Sequence, residues 1–203
     1  GQLSAGQQNA STTPGTPLGT FRIGPATVTL GGFAQLTGII RTRNEVADVG
    51  TNWNTGIPLP NSPRYYEPEF RASARQSRLS LLVQGDVDAN QKLGAYFETD
   101  FLGAGASSNS VESNSYTLRL TQAYGTYEND AWGLYVLGGQ AWSLATPHKT
   151  GLAPRQELVP STIDYQFTPG FTWVRQPQLR VVKSFADQKL WLGLSLESPQ
   201  ATF

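Results

Sequence analysis

Period-two alternation, connections sorted strictly into short and long, and aromatic residues gathered near strand ends together predict an all-β fold, an antiparallel transmembrane β-barrel. The alternation is clearest from Leu79 to Phe101. On its first arm Leu79, Leu81, Val83, Gly85 and Val87 share one face, with Ser80, Gln84 and Asp86 opposite and Leu82 the exception. After Asp88-Ala89-Asn90 the returning arm sets Leu93, Ala95, Phe97, Thr99 and Phe101 against Lys92, Gly94, Tyr96, Glu98 and Asp100. A hairpin apolar on one side and charged on the other, closed by a very short turn, is the repeating unit of a wall with lipid outside and water inside.

Composition narrows the classes. The 203 residues include one His, no Cys and no Met, and their formal net charge is zero. Nothing approaches the roughly eighteen consecutive apolar residues of a spanning helix, whereas alternating strands keep mean hydropathy low even in a membrane. Without cysteine there is neither a disulfide framework nor a thiolate metal site. A neutral chain is a poor electrostatic match for nucleic acid. His148 is the sole histidine, which leaves a His-based metal site or a Ser-His-acid triad without its parts, so no cofactor, no metal and no enzymatic activity are expected. The chain opens at Gly1 without a signal-like segment, so an exported protein would have had its signal peptide removed already.

Taken in order, residues 1–20 are Gly, Ser, Thr, Gln and Pro with little to bury and read as a flexible lead-in to a barrel unit spanning 21–203. A strand is expected from Thr27 to Arg43, then a long Pro-rich loop at 44–72, then the Leu79–Phe101 hairpin. A moderate loop at 103–115 leads to a strand from Tyr116 to Tyr127, the turn Glu128-Asn129-Asp130, and a strand from Trp132 to Ser143. A second long loop occupies 145–170. Strands from Phe171 to Ser184 and from Leu190 to Glu197 close the series around a turn at 185–188. Connection lengths thus alternate long and short, as in barrels whose turns on one side of the membrane are tight and whose loops on the other are extended. Tyr124, Tyr127, Trp132, Tyr135, Phe185 and Trp191 collect at the short-turn ends, and Phe101, Tyr116, Trp142, Phe171 and Trp173 at the other, the expected positions of two interfacial belts. Seven strands leave open edges, and unpaired backbone cannot face hydrocarbon. Either the barrel closes between chains or this is the N-terminal part of a longer one.

The segments VTLGGFAQLTG (28–38), RLSLLVQGDVDANQKLGAYFETDF (78–101), LRLTQAYGTY (118–127), GGQAWS (138–143), RQPQLRV (175–181) and LSLESPQ (194–200) resemble the DcaP-like outer-membrane porins and, more distantly, the phosphate-selective porins. The resemblance implies a bacterial outer-membrane location, about sixteen strands when complete, a homotrimer, contact with outer-membrane lipid, and uptake of small organic anions such as dicarboxylates. It also implies that this chain stops about halfway round the barrel. An N-terminal helical extension is common in the family, and residues 1–20 offer no pattern for one.

Strand parity assigns Arg41, Arg43, Arg78, Lys92, Arg119 and Arg180 to the lumen, against Glu98, Asp100 and Glu197. A basic-leaning wall concentrates anions, and the planar guanidinium suits carboxylates. The loop 145–170 follows the fifth strand, where general porins fold a loop inward, and makes Lys149 and Arg155 candidates for a constriction. Two other classes are considered. One is a secreted all-β binding or surface-array module. The other, a barrel enzyme, lacks the necessary histidine chemistry. Within the barrel reading itself, the alternative to anion preference is that the basic residues pair across strands with Glu98 and Asp100 and merely keep the lumen wet.

Overall fold

Where the sequence alternates, the backbone is extended and each strand pairs with the next. The computed structural model describes residues 19–50, 56–104, 115–158, 160 and 168–199. The strands are β1 (Thr20–Ile23), β2 (Ala26–Phe33), β3 (Thr37–Arg41), β4 (Glu69–Ser73), β5 (Arg78–Asp86), β6 (Gln91–Gly103), β7 (Thr117–Asn129), β8 (Leu134–Trp142), β9 (Arg175–Phe185) and β10 (Leu190–Glu197). Eight form one sheet in the order β1-β2-β5-β6-β7-β8-β9-β10, and β3 and β4 form a separate pair. All pairings are antiparallel. Among the described residues β1 and β10 are edges, so the sheet is a partial barrel. The seven long strands expected are β2 and β5 to β10, with β1 an added short one. Of the lead-in, residues 1–18 lie outside the described residues, and Thr20 already belongs to β1.

The strand expected from Thr27 to Arg43 is in fact two. Register runs to Phe33↔Arg78 and resumes at Thr37↔Ser73, so residues 34–36 face residues 74–77 and the second arm carries one extra residue, a bulge. At Gly32, φ is +138°, and a Cβ there would sit 2.3 Å from the Arg78 carbonyl oxygen. Only glycine allows that approach. Side chains then replace the lost ladder: Gln35 N–H donates to Ser77 Oγ (3.0 Å), and Thr37 Oγ1 to Gln76 Oε1 (2.7 Å). The loop expected over 44–72 accordingly ends early, in β4.

A second irregularity lies in β7. Glu98 pairs Gln122 but Thr99 pairs Leu120, leaving Thr121 without a ladder partner. Its hydroxyl lies 2.8 Å from the Glu98 carbonyl oxygen and 2.7 Å from Glu98 Oε1. The skipped residue brings Arg119 opposite Asp100, onto the charged side of the sheet.

The turns after β1, β5, β7 and β9 are short and lie at one end, while β6 and β8 end, and β7 and β9 begin, at the other. Burial is inverted relative to a water-soluble sheet. Leu79, Leu93, Leu179, Leu192, Leu194 and Leu196 on one face are all exposed, whereas Glu98, Asp100, Gln122, Gln178 and Arg180 on the other are buried. Water penalises exposed apolar area at about 25 cal/mol per Å², and a continuous apolar face of this kind marks a lipid or protein contact. This argues against the secreted-module reading.

The aromatic belts need correction. Tyr124 pairs Tyr96, Tyr135 pairs Val182, and Trp191 pairs Ser184, all on the charged face. Their places near strand ends are real, but parity turns them inward. Of the short-turn group, Trp132 and Phe185 remain among the exposed large side chains. At the other end Trp173 packs against Trp142 and stacks on Phe171, with centroids 3.8 and 5.6 Å apart.

Candidate functional site: a charged wall and its strap

Alternation delivers the charged face, and register fixes which charges meet across it. Arg78 pairs Asp100 in register, Ser80 pairs Glu98, and Asp86 pairs Lys92. Arg119 grips Asp100 with two bonds, Nε to Oδ1 at 2.9 Å and an amino group to Oδ2 at 2.6 Å. Glu98 receives Arg78 at 3.2 Å and the Tyr96 hydroxyl at 3.0 Å. Lys92 reaches Asp130 at 2.8 Å by the short turns. The two carboxylates at mid-wall are therefore structural partners of the two arginines beside them.

Over this face lies a strap, residues 144–158. It leaves β8 where Leu144 N–H donates to Glu197 Oε1 (2.8 Å). It then doubles back through an antiparallel bridge between His148 and Glu157, held by Lys149 N–H to the Gln156 carbonyl at 2.7 Å and Leu158 N–H to the Pro147 carbonyl at 2.8 Å. Its apolar residues pack where the wall has no side chain: a Cβ on Gly193 would lie 2.8 Å from Leu152 Cδ1 and 3.3 Å from Leu144 Cδ2. Gly151 rests near the Trp191 ring.

Arg180 ties strap to wall. Fully buried, it donates to the Leu152 carbonyl at 3.0 Å, to Gln178 Oε1 at 3.0 Å, and to the Trp142 carbonyl. Gln178 in turn donates to the carbonyls of Ala141 and Trp142, each at 3.0 Å. Bonds from a charged donor are the strong kind, and here they satisfy carbonyls at the end of β8 and in the strap.

The strap also sets Arg155. Its φ of 66° is unusual for a residue with a side chain, and Glu157 Oε1 accepts its N–H at 3.1 Å. The guanidinium then lies 5.4 Å from the Tyr96 ring centroid, within cation–π range. Burial pushes the Glu157 carboxyl above the ordinary value. His148 is pushed below its ordinary value by burial and by the neighbouring Arg180 charge.

The predicted wall residues divide. Arg78, Lys92, Glu98, Asp100, Arg119 and Arg180 share the charged face of the main sheet, and Arg155 joins them from the strap. Arg41 and Arg43 do not, because β3 belongs to the separate pair. Arg41 is buried against Glu69 at 3.2 Å and donates to the carbonyls of Asp48 and Gly50, while Arg43 lies 4.0 Å from the Tyr65 ring centroid. Lys149 enters through its backbone bond in the strap bridge. Sequence reasoning passed over Asp86 and Glu128, which register places beside Lys92, and Glu157, Gln178 and Gly193. Alternation already carried the signal for the first two. For the last three only the position of the strap gives them a role.

By count, then, the wall is close to balanced. Around Arg78 and Arg119 exposure favours the cations: the side chains of Glu98 and Asp100 are 10% and 1% exposed, against 29% and 38% for Arg78 and Arg119, and Arg155 is exposed while Glu157 is buried. Elsewhere on the wall the order reverses, with Asp86 exposed and Arg180 buried. Between the strap tip and the short turns a hollow of about 770 Å³ opens, bordered by Asp130, Trp132, Leu152, Lys183 and Trp191. Among the described residues no group of three or more His, Asp or Glu is arranged to hold a metal.

No protein-family model and no curated protein matches this chain. Among solved structures it is similar to the crystal structure of the outer membrane channel DcaP of Acinetobacter baumannii, with a TM-score of 0.61 and 27% identity over 91% of this chain. The match takes in 45% of that channel's chain, so the present chain spans about half its length. The resemblance in the motifs thus extends to the backbone. A neighbour that is a channel also agrees with the non-enzymatic reading.

Proposed function

We propose that this chain forms part of the wall of an outer-membrane porin through which small anionic solutes, organic acids among them, diffuse past a water-filled, strap-narrowed lumen. The inverted burial supports membrane insertion, and likeness to an outer membrane channel supports transport. Anion preference rests on one observation: the wall's mid-height carboxylates are buried and bonded while Arg78, Arg119 and Arg155 keep guanidinium surface toward the lumen. In a low-dielectric passage such a surface raises the local anion concentration. Arg155 on the strap is the proposed selectivity residue, since it has no carboxylate partner among the described residues. Closure by further strands, and assembly as a trimer in contact with outer-membrane lipid, belong to the same proposal.

The test is a reversal potential across a planar bilayer in a salt gradient. Anion selectivity that falls on Arg155→Gln is expected. Cation selectivity in the unaltered protein would overturn the reading.

A further inference from the structure

Beside the strap tip lies a small hollow of about 60 Å³, lined by Leu82, Gln84, Gly94, Tyr124, Thr126, Glu128, Tyr135 and strap residues 153–155. Its origin is visible in the register. Gly94 of β6 stands between Gln84 of β5 and Thr126 of β7. A Cβ there would lie 2.5 Å from Thr126 Oγ1, so the Thr126 hydroxyl leans over the glycine and the remaining gap beside it is roofed by Ala153 and Pro154.

Two opposite charges border the gap, and neither has an ion-pair partner among the described residues. One is Arg155, exposed and lying over the Tyr96 ring. The other is Glu128, half-buried; its cross-strand neighbour Lys92 gives its ammonium to Asp130 instead, at 2.8 Å. A third feature is the Tyr124 hydroxyl, buried and without a hydrogen-bond partner. Burying such a group unpaired costs free energy, and a native structure keeps one only for a reason. A simple anion would be drawn by Arg155 and repelled by Glu128, and a simple cation the reverse. A small zwitterion satisfies both.

We infer that this hollow is a subsite for an α-amino acid of glycine or alanine size. Its carboxylate bonds Arg155, its ammonium bonds Glu128, and the Tyr124 hydroxyl donates to the carboxylate. The volume admits only a few non-hydrogen atoms, which excludes large side chains. The inference rests on the reading of this face as a water-filled lumen, and it adds a point where a dipolar solute pauses beside the anion path.

The experiment is a titration of the potassium chloride current of the intact protein in a planar bilayer with glycine, acetate and methylammonium in turn. Glycine is expected to reduce the current saturably, at a half-effective concentration at least fivefold below that of either fragment. Arg155→Gln and Glu128→Gln should each raise that concentration about tenfold. Tyr124→Phe, which removes a hydroxyl that no protein group uses, should raise it about threefold. Acetate matching glycine, or Glu128→Gln leaving the glycine effect intact, would overturn the subsite. A conducting protein blind to glycine would refute the subsite alone, whereas absence of any current would refute the channel reading.

Discussion

Replacing Leu194 by Arg separates a membrane wall from a soluble sheet. Leu194 pairs Val181, which pairs Val136 in the next strand, and it is 72% exposed. On a soluble protein an exposed leucine of this kind touches little, and its replacement changes stability by about 0.5 kcal/mol or less. On the lipid face of a barrel, arginine near the bilayer midplane costs about 2–4 kcal/mol, falling to about 0–1 kcal/mol near the interfaces. At about 1.4 kcal/mol per tenfold, the Leu194→Arg folding equilibrium should fall by roughly 30- to 1,000-fold. Leu190→Arg, next to the 186–189 turn, should lose no more than about fivefold. Urea titration in lipid vesicles, followed by tryptophan fluorescence and by heat-dependent gel mobility, reads both. Equal and negligible effects at the two positions would refute the membrane assignment, however well the fold matches.

Other outcomes follow from the strap and its anchors. Gly193→Val places carbon where Leu152 and Leu144 now sit, so the strap should lift; single-channel conductance should rise, with about 1–3 kcal/mol lost in the vesicle titration if the strap stays put instead. Asp100→Asn removes the charge that Arg119 grips with two bonds. Stability should fall by about 1–3 kcal/mol, moderated by the water that reaches Arg119, while reversal potentials shift toward anions. The Glu157 carboxyl, buried as part of the seated strap, is pushed above its ordinary value by that burial, so its protonated form favours the seated strap. That contribution is complete below the ordinary carboxylate value and is lost as pH rises through the raised one. Conductance should therefore increase with pH across that window, and Glu157→Gln should flatten the dependence.

Much of this architecture is legible in residue spacing. Leu79 to Phe101 fixes two strands, their faces and their turn without further help, because a period of two admits one assignment of sides. The same rule, applied strictly, turns Tyr124, Tyr135 and Trp191 inward and adds Asp86 and Glu128 to the wall. What spacing does not carry is a change of register. Thr27 to Arg43 alternates without interruption, and the break at residues 34–36 arises from the extra residue on the facing arm, so Arg41 and Arg43 leave the main sheet for a reason written elsewhere in the chain. The extra residue at Thr121 acts in the opposite sense by bringing Arg119 to Asp100. The strap's path is non-local in the same way: Gly193 reads as one more small residue in β10 until Leu144 and Leu152 are seen to occupy its vacancy.

The burial of Arg180 bears on how far strap and wall depend on each other. A guanidinium without water must find acceptors, and those given to Arg180 are mainly carbonyls, among them Leu152 in the strap and Trp142 at its root. The Leu152 carbonyl lies outside any strand and in turn needs a donor, while that of Trp142, at the end of β8, is shared with Gln178. Each side is the other's solvent. A sheet with its strap withdrawn would leave Arg180 without its Leu152 acceptor, and a strap without its sheet would have to hydrate its own backbone, so the seating of the strap and the full burial of Arg180 go together. Strap and wall are thus coupled through one buried charge, and loosening either one exposes the other.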